Sequence, residues 1–588
     1  MLLFRVFSIP VRFFIALLIY FSWGPLAGGV VTAPVPEFSS PALIPYPSKV
    51  VRGAGEAGFR SVQVKVGPDV PGRDDLMKEI KDIFRTSGIQ GSLNSGGAAE
   101  GAMTWELFPD ARMKGEGYDL SVGLGKATVR AGSFGGFFNA LQTLRQLVFN
   151  REGEFAMPVV RISDKPAFVL RGIMLDVGRY YMSPALIKEV MRRLSRYKIN
   201  TLHLHLTDDP AWRMEVKKYP ALTDGAFHWK SRLPGRFYTQ AQLKDLTDYC
   251  ARLNIQVIPE IDMPGHSQPF ARAMKTGMQT EKGVSILKDV VDEAVSLFPG
   301  RFFHMGSDEA HISMKDFIPR MAEHIRGKGK EVVVWSPGGP HDKDSVLMCW
   351  GENEAGARMD KNMKRIDSNG FYIDWADSQS GVYQVFFQQP CEVPQGDDKA
   401  LGAIMPVWCD GNLSSERRVL EQYPFYPCAL TFAERVWRGS ATKRRDYMAQ
   451  LPPRGTDGWK EFREFEQRLA FHRDHFFQGV PFAYVKQADV AWSLVGPFDH
   501  RGKNDTSFEP ERRIAPSYRD GDRILAWKKT PVYGAAVHVR HLFAMFNMHR
   551  NQYRTDHWPT LMSREVGKED GTCYALTFIR SPREQEVW

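Results

Sequence analysis

From residue 168 the chain alternates short apolar runs with longer amphipathic ones. Strand-like runs at 172–175, 201–206, 256–261 and 301–305 are each followed by a helical pattern, at 184–197, 241–253, 286–298 and 314–327. More strand-like runs lie at 331–334, 345–348, 365–372 and 403–407, and a helical pattern at 459–477 closes the set. Repeated βα units predict a parallel sheet, either doubly wound or closed as a (β/α)8 TIM barrel. No Gly-rich phosphate loop follows the first strand, which argues against the dinucleotide-binding version. Polar residues fall where strands should end: Asp176 and Arg179, Thr207, Asp208 and Asp209, Glu260 and Asp262, Asp308 and Glu309. In a barrel these gather at one rim, where active sites sit. The α/β reading therefore places a catalytic barrel over residues 168–485.

The flanks have different patterns. Residues 34–165 open with a Pro- and Ser-rich stretch. They continue as strand-like runs (62–66, 118–122, 127–130) mixed with helical patterns at 75–86 and 136–149, which predicts a small α+β domain. Residues 490–588 lose the βα rhythm, and β-like runs at 491–495, 533–539 and 573–579 read as a β-rich module that ends incomplete. At the N-terminus, Arg5 and Arg12 precede an apolar run at 13–23, and small residues at 27–29 precede Val30. That is the layout of a signal peptide over 1–29, so the protein is expected to be exported, periplasmic or secreted, with no stable membrane span after cleavage.

Composition narrows the classes. Hydrophobic residues make up 43% and charged residues 25% of 588, which excludes a disordered chain or a multi-span membrane protein. Lys plus Arg (77) less Asp plus Glu (68) gives +9, but the basic residues are scattered through mixed-sign sequence, so no nucleic-acid stripe is expected. The six Cys are widely spread and form no disulfide framework.

The densest chemistry is His304-Met305-Gly306-Ser307-Asp308-Glu309. Adjacent carboxylates raise each other's pKa, which is useful where one must stay protonated as a general acid. Two other clusters are Glu260-Ile261-Asp262-Met263-Pro264-Gly265-His266 and His203-Leu204-His205-Leu206-Thr207-Asp208-Asp209. Their residue types could bind metal. However, His203 and His205 share one strand face and no HExxH or Cys pair completes a metal spacing. A hydrogen-bonded Asp–His–Glu chain that orients an acid explains the same residues without metal, and no cofactor is expected.

The stretches RGIMLDVGRYYMSP, KINTLHLHLTDDPAW, IPEIDMPGHS and FFHMGSDEA, in that order, resemble glycoside hydrolase family 20, the β-N-acetylhexosaminidases. The likeness runs over about residues 40–480 and includes the N-terminal domain. It implies an exo-acting, retaining enzyme that removes terminal GlcNAc or GalNAc from glycans, with the substrate's own acetamido oxygen as nucleophile. By resemblance Glu309 is the acid and later the base. Asp308 holds the acetamido N–H and Tyr372 donates to the acetamido oxygen. Asp208 and His266 form a chain to Glu309, with Asp262 nearby. Arg179 grips the sugar's O3 and O4, Asp374 and Asp410 take further hydroxyls, and Trp335, Trp350 and Trp408 wall the pocket. Glu434-Arg435 matches a structural motif.

The chain departs from the family's pattern at three places: Ser307 stands where Gly is usual, Asp410 stands where Glu is usual, and the stretch from His266 to Glu309 is short. These leave open a lacto-N-biosidase or a 6-sulfo-GlcNAc-specific enzyme of the same family. A sugar-binding protein without turnover is a further alternative, against which Asp308, Glu309 and Tyr372 together argue.

Overall fold

The structure is a computed structural model. It describes residues 41–484 except 94–99, 152–153, 351–359, 374–379, 411–412, 414, 421–423, 442–455 and 483. Beyond 484 it describes only short strands between 517 and 587. The expected signal segment lies outside the described residues, as does most of the expected C-terminal module. Of that module, Thr577–Ser581 pairs antiparallel with Glu584–Val587.

Eight strands close into a parallel barrel: Leu170–Asp176, Thr201–His205, Gln256–Glu260, Phe302–His304, Glu331–Ser336, Val346–Cys349, Lys364–Asp367 and Ala400–Val407. Each falls on one of the eight apolar runs read from the sequence. The reason is burial on both faces: a parallel strand covered by helices outside and side chains inside is apolar nearly throughout. Helices Pro184–Ser195, Gln240–Ala251, Glu281–Leu297 and Phe317–Gly327 follow the first four strands. Three of these begin at a hydroxyl N-cap (Ser183, Thr239 and Thr280), which accepts a backbone N–H that would otherwise lack a partner. No helix of the described residues is long and apolar enough to cross a membrane.

The N-terminal domain is an eight-stranded sheet carrying helices Arg73–Ser87 and Phe134–Leu147. Asp164, at the end of its strand Glu154–Asp164, ties this domain to the barrel. It accepts from Lys198 Nζ (3.0 Å), Tyr118 Oη (2.7 Å) and Trp437 Nε1 (3.0 Å), all buried. Glu434 does similar work from helix Phe425–Arg438, pairing with Arg468 (2.9 Å) and accepting Tyr46 N–H (2.7 Å). The expected structural part for Glu434 thus takes the form of a clamp on the N-terminal segment. Cys250, Cys349, Cys391, Cys409 and Cys428 are all buried.

Candidate active site

The strand register builds the site. Asp176 pairs with His205, His205 with Glu260, and Glu260 with His304, so the ends of four consecutive strands carry ionisable side chains at one level. His203 lies one layer below on the same inward face as His205, and both imidazoles reach Glu260 Oε2, at 2.8 and 2.7 Å. Glu260 Oε1 accepts from Trp335 Nε1 at 2.7 Å.

From this buried layer a row of groups runs outward. His205 Nε2 lies 3.0 Å from Asp208 Oδ2, Asp208 Oδ1 lies 3.5 Å from His266 Nδ1, and His266 Nε2 lies 3.4 Å from Glu309 Oε2. Exposure rises along the row, from 2% for the Asp208 side chain to 19% for His266 and 59% for Glu309. Arg179 sits beside it with a nitrogen 3.1 Å from Asp176, another 3.0 Å from Asp208 and a third 3.3 Å from Asp410, and its guanidinium lies 4.6 Å from the Trp408 ring centre.

The charges follow from these contacts. Burial opposes a cation at His266, but hydrogen bonds to Asp208 and Glu309 push it up to about 12. The same His266 contact pulls Glu309 below its usual range. Burial, with Asp262 and Glu260 adding repulsion, holds Asp308 well above the normal carboxylate range. Asp262 is pushed up to about 7, mainly by burial and then by Glu260. These contacts favour an imidazolium–carboxylate pair at His266 and Glu309 and disfavour the charged form of Asp308.

Asp208, Asp262, His266, Asp308, Glu309, Arg179, Asp410 and Trp408 all come together at this rim. Tyr372 is half-buried, with its ring 6.4 Å from Trp408. Asp374 lies outside the described residues. Trp350 is half-buried and donates to Pro337 O at 3.0 Å. Trp335 departs from the expected open wall: it is 1% exposed, because its indole N–H is drawn inward to Glu260. His205 and Glu260 stood within the candidate clusters, but neither was assigned a role of its own. The alternation of His203 and His205 signalled a shared face, but only the register shows what that face meets.

Four groups of three potential metal ligands occur here: His203, Glu260 and His304; His205, Glu260 and Asp262; Asp208, Asp209 and His266; Asp262, His266 and Asp308. Many of their atoms are already engaged. His304 Nδ1 accepts from Gly306 N–H (3.0 Å) and Glu260 Oε1 from Trp335, so a cation held through those two atoms would have to displace both bonds.

The acid loop is strained. Gly306 has φ +68, and a Cβ there would meet Asp262 Oδ1 at 1.8 Å. Ser307 follows at φ +86, with its hydroxyl buried and without a partner. A non-Gly residue in that region costs about 1–3 kcal/mol, as does an unpaired buried hydroxyl, partly offset by the freer unfolded Gly chain. Ser307→Gly is thus expected to raise stability by about 1 kcal/mol or more in denaturant melts. A loss of stability would show that the hydroxyl has a partner in solution.

Known proteins share this chain's pattern. The description "Glycosyl hydrolase family 20, catalytic domain" matches residues 168–283, and "Glycosyl hydrolase family 20, domain 2" matches residues 40–165. The Beta-N-acetylhexosaminidase of Cellulomonas fimi is 30% identical, over 68% of this chain and 86% of its own. The Beta-hexosaminidase of Porphyromonas gingivalis is 31% identical over 56% of this chain. The match spans 52% of that relative's own length and 63% of the Vibrio furnissii enzyme's. Among solved structures, the Vibrio harveyi GH20 exo β-N-acetylglucosaminidase in complex with N-acetylglucosamine superposes with a TM-score of 0.62. It is 23% identical, over 76% of this chain and 78% of that one, a likeness of fold.

Proposed function

The chain belongs to glycosyl hydrolase family 20, and from that premise we propose that it is an exo-acting, retaining β-N-acetylhexosaminidase for glycans ending in N-acetylhexosamine. The observation that carries this reading is the row Asp208, His266, Glu309, which ends at the barrel mouth beside Arg179 and Trp408.

The proton held on His266 passes to the Glu309 carboxylate, 3.4 Å away, and the carboxylic acid so formed protonates the departing glycosidic oxygen. The acetamido oxygen, oriented by Tyr372, attacks C1 as the C1–O bond breaks, giving an oxazolinium ion. Asp308 gives its proton to solvent as the substrate binds, accepts from the acetamido N–H and faces the positive charge, and takes a proton back from solvent once the ion is consumed. Glu309 then takes a proton from water, which opens the ring at C1 with retention. Arg179 and Asp410 hold the sugar's hydroxyls against Trp408, and we assign Asp374 and Trp350 to the same pocket.

The linkage has a sign. Burial and the neighbouring carboxylates raise the Asp308 pKa, and a facing cation lowers it, so a cationic analogue of the oxazolinium ion draws a proton off Asp308 on binding and binds more tightly as pH rises. Affinity should climb by up to about tenfold per pH unit until Asp308 ionises in the free protein, while neutral GlcNAc shows no such slope. A flat profile for the cation in calorimetry would overturn this role. The reading as a whole is tested on aryl β-glycosides of GlcNAc, GalNAc, 6-sulfo-GlcNAc, lacto-N-biose and glucose: the first two should turn over and glucose should be inert. Trapping a sugar on a protein side chain would sink the acetamido mechanism. We further assign export, with residues 1–29 removed, and a separate β-rich module at 490–588; N-terminal sequencing should find Val30 first.

A further inference from the structure

We infer that His205 is a positioning residue for the acid: a buried imidazolium bridging Glu260 and Asp208 that fixes which oxygen Asp208 presents to His266. The inference rests on the hexosaminidase reading.

The geometry is specific. His205 Nδ1 lies 2.7 Å from Glu260 Oε2 and Nε2 lies 3.0 Å from Asp208 Oδ2, so both ring nitrogens face carboxylates. A neutral imidazole can donate through only one nitrogen, whereas two carboxylate acceptors call for two donors. The ring is 1% exposed, so water supplies neither bond. Asp208 Oδ2 also lies 3.0 Å from Arg179, and with that oxygen occupied by two cations only Oδ1 is left to face His266. His205 thereby sets the rotamer of a carboxylate shared by the sugar-gripping arginine and the proton-carrying histidine.

The surrounding charges agree with this state. Asp176 is the register partner of His205 and adds a third carboxylate; Arg179 neutralises it on the far side. His203 and His304 border Glu260, and burial pushes His304 down to about 3, leaving it neutral. Asp262 lies within ligand-like distance of His205 and Glu260. Trp408 meets the His205 ring edge-on at 5.2 Å and 76°. Burial opposes the His205 cation, but Glu260 and Asp208 outweigh it and hold it charged.

Two measurements test this on the full chain. In 15N-histidine-labelled protein, the His205 ring, assigned by its loss in His205→Gln, should keep both N–H protons from pH 5 to 8. A singly protonated ring at pH 7 would overturn the proposal. This readout needs no activity, so it stands apart from the hexosaminidase reading, which fails separately if no N-acetylhexosaminide is cleaved. Kinetically, His205→Gln should lower kcat on an unactivated disaccharide by about 10–100-fold with KM within about twofold, because Glu309 is misplaced while the sugar grip survives. Removing a cation raises its neighbours' pKa values, so the basic limb of kcat/KM should move up by about one unit. The loss should shrink several-fold on a dinitrophenyl glycoside, whose leaving group needs no proton. An equal loss on both substrates with an unmoved pH profile would reduce His205 to a packing residue.

Discussion

Replacing Glu309 with Gln is expected to cut turnover of an unactivated disaccharide by about 100-fold or more, the scale of a lost general acid. Gln keeps the shape and can still meet His266, but it cannot deliver a proton to a departing sugar oxygen or take one from water. The substitution falls on a side chain that is 59% exposed, so the fold should be untouched and melting unchanged. A substrate with an acidic phenol as leaving group does not need the proton and should lose far less in its first step. Two matched assays therefore separate acid catalysis from misfolding. Near-normal hydrolysis of the disaccharide by the variant would remove Glu309 from the acid role.

Arg179→Ala should be at least as damaging, through binding and turnover together. Arg179 faces Asp176, Asp208 and Asp410 within 3.3 Å, and the first two are almost wholly buried. Removing one partner of a buried pair typically costs about 3–5 kcal/mol, so the variant should also melt earlier. If the arginine fork grips two sugar hydroxyls, each worth about 1.5–3 kcal/mol, kcat/KM should fall by about 10²–10⁴. Arg179→Lys restores the charge but not the planar fork, and should recover stability better than activity. The product pattern on a chito-oligosaccharide checks the same pocket. Release of single GlcNAc units from the non-reducing end supports a closed grip, whereas early internal cleavage would show an open cleft.

What could be read from the sequence, and what could not, follows from where side chains point. The eight barrel strands stood out because both of their faces are buried. Strand Lys49–Phe59 did not, because it is Gly-rich and mostly exposed, with no alternation to detect. Helix Phe425–Arg438 was missed for the opposite reason: every residue but Arg438 is buried, so it has no polar face to set a period. Helix Gln268–Met274 is too short to show one. In the site, residues at strand ends (Asp208, His266, Glu309) were visible as motifs. The link from His205 to Glu260 was not, because it depends on the register between two strands 55 residues apart.

The contacts of Asp164 have a practical consequence for anyone cutting this protein. Lys198 belongs to the barrel and is 2% exposed, yet its carboxylate partner belongs to the preceding domain. Excising the barrel alone would leave an ammonium facing the indole of Trp437 and the empty place of Asp164, with the clamp of Glu434 on Tyr46 also gone. The barrel is therefore not a portable cassette, and fusions, display formats or swapped chimaeras should carry the two domains as one block.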